Sequence, residues 1–284
     1  MVTICSMRHT LSLSKTLVFI ISISIIFCFI NMNEGFVRAA DLQDADRSID
    51  QVNNIESLPD LIFQTPNQDE KVVYLTFDDG PTPHTELLLN MLDQYEAKAT
   101  FFLLAPNMEK YPHIVTRMMN DNFGVGLHGV THDPRIFYRS KEHALGEMLE
   151  AQRVLKEITG EESDMIRTPY GSFPYFIESY RKEIKTYGFE IWDWHVDSLD
   201  WEYKNDEYVD KTIEQIEQLA NRGIHPVVLL HDRRETIQYL PKLLSYLKTN
   251  NYTLKTLDQS REPVFFECKN RCYKYGSKKK RKQE

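Results

Sequence analysis

The chain is predicted to be an α/β protein whose parallel sheet closes, or nearly closes, into a barrel. From Lys71 onward short apolar runs alternate with amphipathic stretches, the pattern of repeated strand and helix units. Polar groups able to do chemistry follow directly after five of the apolar regions, and loops in such folds gather at the carboxyl ends of strands. The length, 284 residues, accommodates one large barrel or two smaller domains. An open doubly wound sheet is the alternative arrangement.

The first strand is Val72 to Phe77, a β-branched and aromatic run that ends in Asp78 and Asp79 and then reverses at Gly80-Pro81. Thr82-Pro83 reads as a cap with a first-turn proline, opening a helix whose buried face is Leu88, Met91, Leu92 and Tyr95. Ala99 to Leu104 is a second strand, Tyr111 to Asn120 a helix and Phe123 to Leu127 a third strand. Ser140 caps a long helix with the inner stripe Leu145, Met148, Leu149, Leu155 and Ile158, closed by Gly160. Further strands are expected at Met165-Ile166, Phe189 to Trp192, Val227 to Leu230 and Tyr252 to Leu254. Between them helices bury Val209, Ile213, Ile216 and Ala220, and Ile237, Leu240, Leu244 and Leu247.

A hydrophobic share of 42% is ample for a core. The net charge of −8 is unevenly spread: residues 269–284 carry about +7 and residues 1–39 about +2, leaving about −17 over residues 40–268. So acidic a body argues against a nucleic-acid partner. Arg8 and Lys15, the apolar run Leu17 to Ile30, and Val37-Arg38-Ala39 before Ala40 have the three parts of a secretory signal. Residues 1–39 are therefore expected to be a signal peptide cleaved after Ala39, with a retained membrane anchor as the alternative. Either way the remainder is exported: secreted or surface-associated, or anchored with its folded domain outside. Residues 40–70 read as a linker, 71–257 as the folded domain and 258–284 as a basic tail. Cys268 and Cys272 are the two cysteines beyond the signal; a spacing of four leaves open whether they pair.

Two adjacent aspartates repel, so keeping both ionised calls for a nearby cation; two solvated turn acids are the plain alternative. His128-Gly129-Val130-Thr131-His132 follows the third strand, and two imidazoles four apart meet one ion if the segment makes a helical turn. Two imidazoles and a carboxylate leave open coordination positions, which is more often a catalytic than a structural arrangement. Gly124, Gly126 and Gly129 fit Gly-x-Gly-x-x-Gly, but Pro134 interrupts the place of the helix that a dinucleotide loop needs. Arg167-Thr168-Pro169-Tyr170-Gly171, Asp197-Ser198-Leu199-Asp200-Trp201 and Leu229-Leu230-His231-Asp232 complete the set.

These five motifs, in this order, resemble those of the polysaccharide deacetylases with the NodB-type domain, carbohydrate esterase family four. The resemblance covers about residues 71–257 and implies a distorted (β/α) barrel and a divalent-metal hydrolase that removes acetyl groups from a polysaccharide. It implies that Asp79, His128 and His132 bind the metal, Zn2+ first with Co2+ or Ni2+ as alternatives. It makes Asp78 the general base and His231 the general acid, with Arg167 orienting Asp78 and Asp200 paired to His231. The backbone N–H of Tyr170 would face the developing oxyanion, Trp201 and Leu229 would wall the acetyl pocket, and Asp197 receives no definite step. The family commonly has Ser or Thr where this chain has Gly129, which leaves the bracing of the metal loop in question; Thr131 is the candidate replacement.

The expected substrate is N-acetylglucosamine in a cell-wall polymer, with peptidoglycan first. Chitin, poly-N-acetylglucosamine and acetylated xylan are alternatives, and the enzyme is expected to be a monomer. A glycosidase using Asp78 and Asp200 and a silent glycan-binding wall protein are the competing classes. The tail after Leu257 is expected to be dispensable for turnover, and its block Lys278-Lys279-Lys280-Arg281-Lys282 to be solvated and unpacked, available to anionic wall polymer or membrane.

Overall fold

A computed structural model describes residues 70–258 and 260–277. The expected leader, nearly all of the linker and the block Lys278–Lys282 lie outside the described residues. Among the described residues no helix is long and apolar enough to cross a membrane.

The strands are β1 (Lys71–Gly80), β2 (Ala99–Leu103), β3 (Gly124–Leu127), β4 (Met165–Ile166), β5 (Glu190–Ile191), β6 (Val196–Asp197), β7 (Val227–His231) and β8 (Tyr252–Leu254). The helices are α1 (Thr85–Gln94), α2 (Ala105–Lys110), α3 (Pro112–Asn120), α4 (Pro134–Phe137), α5 (Lys141–Thr159), α6 (Glu178–Thr186), α7 (Glu207–Ala220) and α8 (Arg234–Thr249). All strand pairs are parallel, in the order β5-β4-β3-β2-β1-β7-β6, with β8 beside the start of β1. The sheet curls into a distorted, incompletely closed barrel: β5 and β6 are its two ends and do not pair.

Alternation along β1 sorts its side chains into two layers. Val73, Leu75 and Phe77 face the helices and join one large core with Leu88, Leu92, Met118, Met148, Leu240 and Leu244. Tyr74 faces inward with Phe102, Trp192, Val227 and Leu257, a smaller core that also receives Val264. Further along the same inward face, Thr76 and Asp78 are polar and buried, so the barrel interior changes from apolar to polar toward the carboxyl end of β1.

Several local expectations shift. The first helix begins at Thr85 rather than Thr82, because Thr82 Oγ1 donates to Asp232 Oδ1 at 3.0 Å, and the Thr85 hydroxyl reaches the other oxygen of the same buried carboxylate. Leu89 takes the buried place expected for Met91. Helix α2 went unanticipated, since six residues are too few to display a helical period. On α5 the Ser140 cap (accepting from the His143 amide at 3.3 Å) and the left-handed Gly160 end hold, but Leu149 is 39% exposed while Ala151 and Val154 are buried. The glycines of the false dinucleotide motif have a packing reason: a Cβ on Gly126 would lie 2.6 Å from the Phe102 ring.

The largest correction concerns the carboxyl-terminal residues. Those described after Leu257 cross the barrel instead of trailing away from it. The Asp193 amide donates to Val264 O at 2.7 Å and the Phe266 amide to Asp193 Oδ2 at 2.7 Å, so this segment covers the gap between β5 and β6. Cys268 and Cys272 form a disulfide with Cα atoms 5.1 Å apart. Tyr275 stands edge-on to Tyr175 with ring centroids 4.8 Å apart. The carboxyl-terminal residues are therefore part of the packed structure as far as Tyr275, beyond the boundary expected at Leu257, because the apolar side chains Leu257, Val264 and Phe265 complete the two cores; the block expected to be unpacked lies outside the described residues.

Candidate metal centre and active site

Neighbouring residues of a strand normally point to opposite faces, yet the side chains of Asp78 and Asp79 share one site. The register between β1 and β2 shifts between Asp78 and Gly80, and Asp79 adopts φ 71°, so a bulge re-aims its carboxylate. Asn107 Nδ2 donates to Asp79 O at 2.7 Å and the Leu104 amide to Gly80 O at 3.0 Å, holding this uncommon backbone in place.

His128 follows β3 with 2% exposure, and its amide continues the sheet to Leu103 O at 2.8 Å. The segment to His132 is a loop, so the two imidazoles come together without the helical turn that the i, i+4 spacing offered as one route. Gly129 has φ 89° and His132 φ 49°, and the loop folds the two rings to a centroid separation of 5.1 Å. The missing hydroxyl at Gly129 is compensated from elsewhere. Glu147, on the inner side of α5, accepts from the Val130 and Thr131 amides at 2.9 Å each and from Thr131 Oγ1 at 2.6 Å. Thr131 thus takes the bracing part foreseen for it, and Glu147 is the unforeseen partner.

Asp79, His128 and His132 form a cluster in which one ligand atom of each lies within 4.8 Å of the others. Asp79 Oδ1 is 3.6 Å from His128 Nε2 and 3.4 Å from His132 Nε2, is buried, and has no hydrogen-bond partner. Bonds of about 2.0–2.2 Å to one tetrahedral ion would place ligand atoms about 3.3–3.6 Å apart, so these spacings suit a shared cation better than direct hydrogen bonds. His128 Nδ1 lies 2.7 Å from Arg167 O, which directs its proton there and leaves Nε2 free to ligate. Burial, and then the neighbouring His128, hold His132 below the usual imidazole range, favouring a neutral lone pair. For Asp79, burial pushes upward, but the imidazoles of His128, His132 and His231 and the Arg233 guanidinium keep it below the usual carboxylate range. These residues fit a divalent metal.

Two further pairs flank the cluster. Fully buried Arg167 donates through Nη1 to Asp78 Oδ1 at 2.8 Å and to Thr76 Oγ1 at 2.7 Å. Its Nε reaches Trp192 O at 2.9 Å, and its guanidinium lies 4.1 Å from the Phe102 ring centre. Asp78 Oδ2 remains directed toward the cluster, 3.8 Å from His128 Nε2. Opposite Asp78 in the β1–β7 register stands His231. Its Nδ1 is 2.7 Å from Asp200 Oδ1, while Asp200 Oδ2 accepts from the His231 amide at 2.7 Å and from Thr236 Oγ1 at 2.6 Å. Burial disfavours the His231 imidazolium, but the hydrogen bond and charge of Asp200, helped by Asp78 and Asp79, raise it above the usual imidazole range overall.

The substrate-contacting candidates have different surroundings. Tyr170, with φ 64° and 60% exposure, places its ring 4.7 Å from that of His132. Leu229 is buried between Thr76 and Asp197 in the sheet register, and Trp201, next to Asp200, is 48% exposed. Asp197 Oδ1 accepts the Leu199 amide at 3.0 Å, shaping the turn that delivers Asp200. Because both Asp200 oxygens are engaged and the residue is 3% exposed, the paired-carboxylate glycosidase arrangement is disfavoured.

Sequence reasoning passed over Asn107, Glu147, Asp193 and Thr236. Glu147 had a visible signal, an acid falling on the buried side of α5 next to Met148. Asp193 follows a buried strand and is itself fully buried.

A family model described as polysaccharide deacetylase matches residues 65–192. A peptidoglycan-N-acetylglucosamine deacetylase of Bacillus cereus is 33% identical over 274 residues, covering 93% of this chain and 100% of that protein. The crystal structure of polysaccharide deacetylase Bc1974 from Bacillus cereus superposes with a TM-score of 0.61 at 38% identity, covering 71% of this chain and 100% of that one. The catalytic domain of a peptidoglycan N-acetylglucosamine deacetylase from Eubacterium rectale gives a TM-score of 0.64 at 26% identity, over 70% and 94%.

Proposed function

The chain belongs to the polysaccharide deacetylase family, and on that premise we propose that it is an exported, metal-dependent enzyme that hydrolyses the N-acetyl group of N-acetylglucosamine in peptidoglycan. The observation that carries the reading is the triangle of Asp79 Oδ1, His128 Nε2 and His132 Nε2, flanked by the Arg167–Asp78 and Asp200–His231 pairs. Zinc suits two imidazoles and one carboxylate, with cobalt or nickel able to replace it.

A divalent ion, which Asp79, His128 and His132 would hold, would supply Lewis acidity for the hydrolysis. Asp78 accepts the water's proton as its oxygen bonds to the carbonyl carbon, with Arg167 fixing the carboxylate's orientation. The Tyr170 amide would donate to the oxygen that gains charge. His231, its Nδ1 turned to Asp200, delivers the Nε2 proton to the amide nitrogen as the C–N bond breaks, yielding acetate and the free amine. Leu229 and Trp201 shelter the acetyl methyl. The expected signal peptide, the disulfide and the relatives' substrates support an exported location, since disulfides persist in oxidising compartments.

Acetate release from peptidoglycan, chitin oligomers, poly-N-acetylglucosamine and acetylated xylan, with and without chelator, tests the reading. Chelator-sensitive release greatest from peptidoglycan is expected. Chelator-insensitive release defeats the metal assignment, and no release from any of the four defeats the deacetylase.

A further inference from the structure

We propose that residues 263–273 form one wall of a second subsite, which holds the sugar adjoining the reacting N-acetylglucosamine and takes the carboxylate which that sugar carries. The inference rests on the peptidoglycan reading, in which the adjoining unit is a carboxyalkyl-substituted hexosamine.

The subsite is a cavity of about 630 Å³ lined by Tyr170, Phe173, Trp194, Phe266, Lys269 and Arg271, among others. That volume falls within the range of about 300–1,000 Å³ usual for small-molecule clefts. Tyr170 links it to the metal centre: the residue lines the cavity, and its ring lies 4.7 Å from that of His132. Aromatic faces offer the apolar surface on which the C–H faces of a pyranose ring stack, while the ring hydroxyls remain hydrated.

The walls are held in fixed relation. Asp193, fully buried, accepts through Oδ1 from the Ser172 amide at 2.8 Å and through Oδ2 from Ser172 Oγ at 2.5 Å and the Phe266 amide at 2.7 Å. One carboxylate therefore ties the loop that carries Tyr170 to the carboxyl-terminal segment, and Trp194 meets Phe266 edge-on at 5.1 Å. The Cys268–Cys272 bond closes the small loop bearing Lys269 and Arg271. Arg181 fastens that loop from behind, with Nη2 2.7 Å from Cys268 Sγ and its guanidinium 3.9 Å from the Phe265 ring centre.

Charge points to the ligand. Arg271 is exposed, lies 5.0 Å from the Phe173 ring centre and has no carboxylate partner among the described residues. Lys269 meets Glu267 at 3.2 Å, a solvent-exposed pair that contributes little and exchanges readily. Asp197, the other acid at the cavity, is engaged by the Leu199 amide. With Lys269 paired to Glu267 and Asp197 held by the Leu199 amide, Arg271 is the cation at the cavity without a carboxylate partner among the described residues, complementary to a sugar acid and without value for a neutral glucan chain.

The test measures kcat/KM of the zinc-loaded enzyme on a tetrasaccharide of alternating N-acetylglucosamine and N-acetylmuramic acid, on the neutral N-acetylglucosamine tetramer and on its dimer. Arg271→Glu is expected to lower the ratio between the acidic and neutral tetramers about tenfold, chiefly through KM, and added salt to shrink the same ratio in the wild type. Phe266→Ala is expected to lower the ratio between neutral tetramer and dimer about tenfold. Lys269→Glu, at an exposed position, repeats the charge test should either variant fold poorly. Unchanged ratios in the variants, with wild-type enzyme still releasing acetate from peptidoglycan, overturn the subsite. A change with Phe266→Ala alone overturns its carboxylate recognition. Absence of acetate from every glycan with the wild type instead counts against the functional reading.

Discussion

Glu147 receives the amide of Thr131 at 2.9 Å and its hydroxyl at 2.6 Å, so a carboxylate on α5 sets the path of the loop joining the two candidate metal histidines. Removing an outer partner of a metal site typically costs about 10- to 100-fold in affinity. Glu147→Ala is therefore expected to weaken zinc binding by about that factor, with Glu147→Gln intermediate because it retains an acceptor oxygen. Isothermal titration of the apoprotein reads this directly, and wild-type affinity in the alanine variant would exclude the brace.

His132→Ala should abolish stoichiometric binding. It removes one of three ligands and leaves Asp79 Oδ1 with a single imidazole neighbour at 3.6 Å. Metal content after gel filtration checks it, and an unchanged one-to-one ratio would remove His132 from the site.

Asp78→Asn and His231→Ala should keep the ion and lose turnover by about 10²- to 10⁴-fold each, the usual worth of a general base or acid. A normal rate in either variant would reassign that role.

The pH profile of kcat/KM should be bell-shaped. His231 must be protonated to act, and its raised folded-state value keeps it so to higher pH; the alkaline limb should lie above the ordinary imidazole range. Asp200→Asn removes the stabilising charge while burial remains, so the alkaline limb should move to lower pH. An unmoved limb in that variant would detach the limb from His231.

Truncation separates two parts of the carboxyl terminus. Ending the chain after Leu257 removes Val264 from the inner core and leaves buried Asp193 without the Phe266 amide, so a loss of several kcal/mol is expected, together with lower turnover even on short oligomers. Ending it after Ser277 removes Lys278–Lys282 and should spare oligomer turnover while reducing retention on anionic wall material at low salt. Thermal melts, turnover and sedimentation with cell walls distinguish these outcomes; equal sedimentation of the two longer forms would end the idea of a wall handle.

The sequence by itself determined the features that repeat within short windows. The run Val72 to Phe77 announces a buried strand, Ser140 and Gly160 bound a helix, and the polar motifs after the apolar runs mark one end of the sheet as the site. It also carried the ordered motifs by which Asp78, Asp79, His128, His132, Arg167, Asp200 and His231 could be named before their meeting was seen. Only the tertiary structure decided how they meet. A bulge opposite β2 turns Asp79 beside Asp78, and a loop braced by Glu147 joins His128 to His132 where spacing offered a helical turn as one route. The same holds for the carboxyl terminus: Asp193 and Phe266 stand 73 residues apart, and no local period records that one caps the other. Periodicity reports which face of an element is buried, whereas hydrogen bonds between distant segments exist only once the sheet has brought their backbones together.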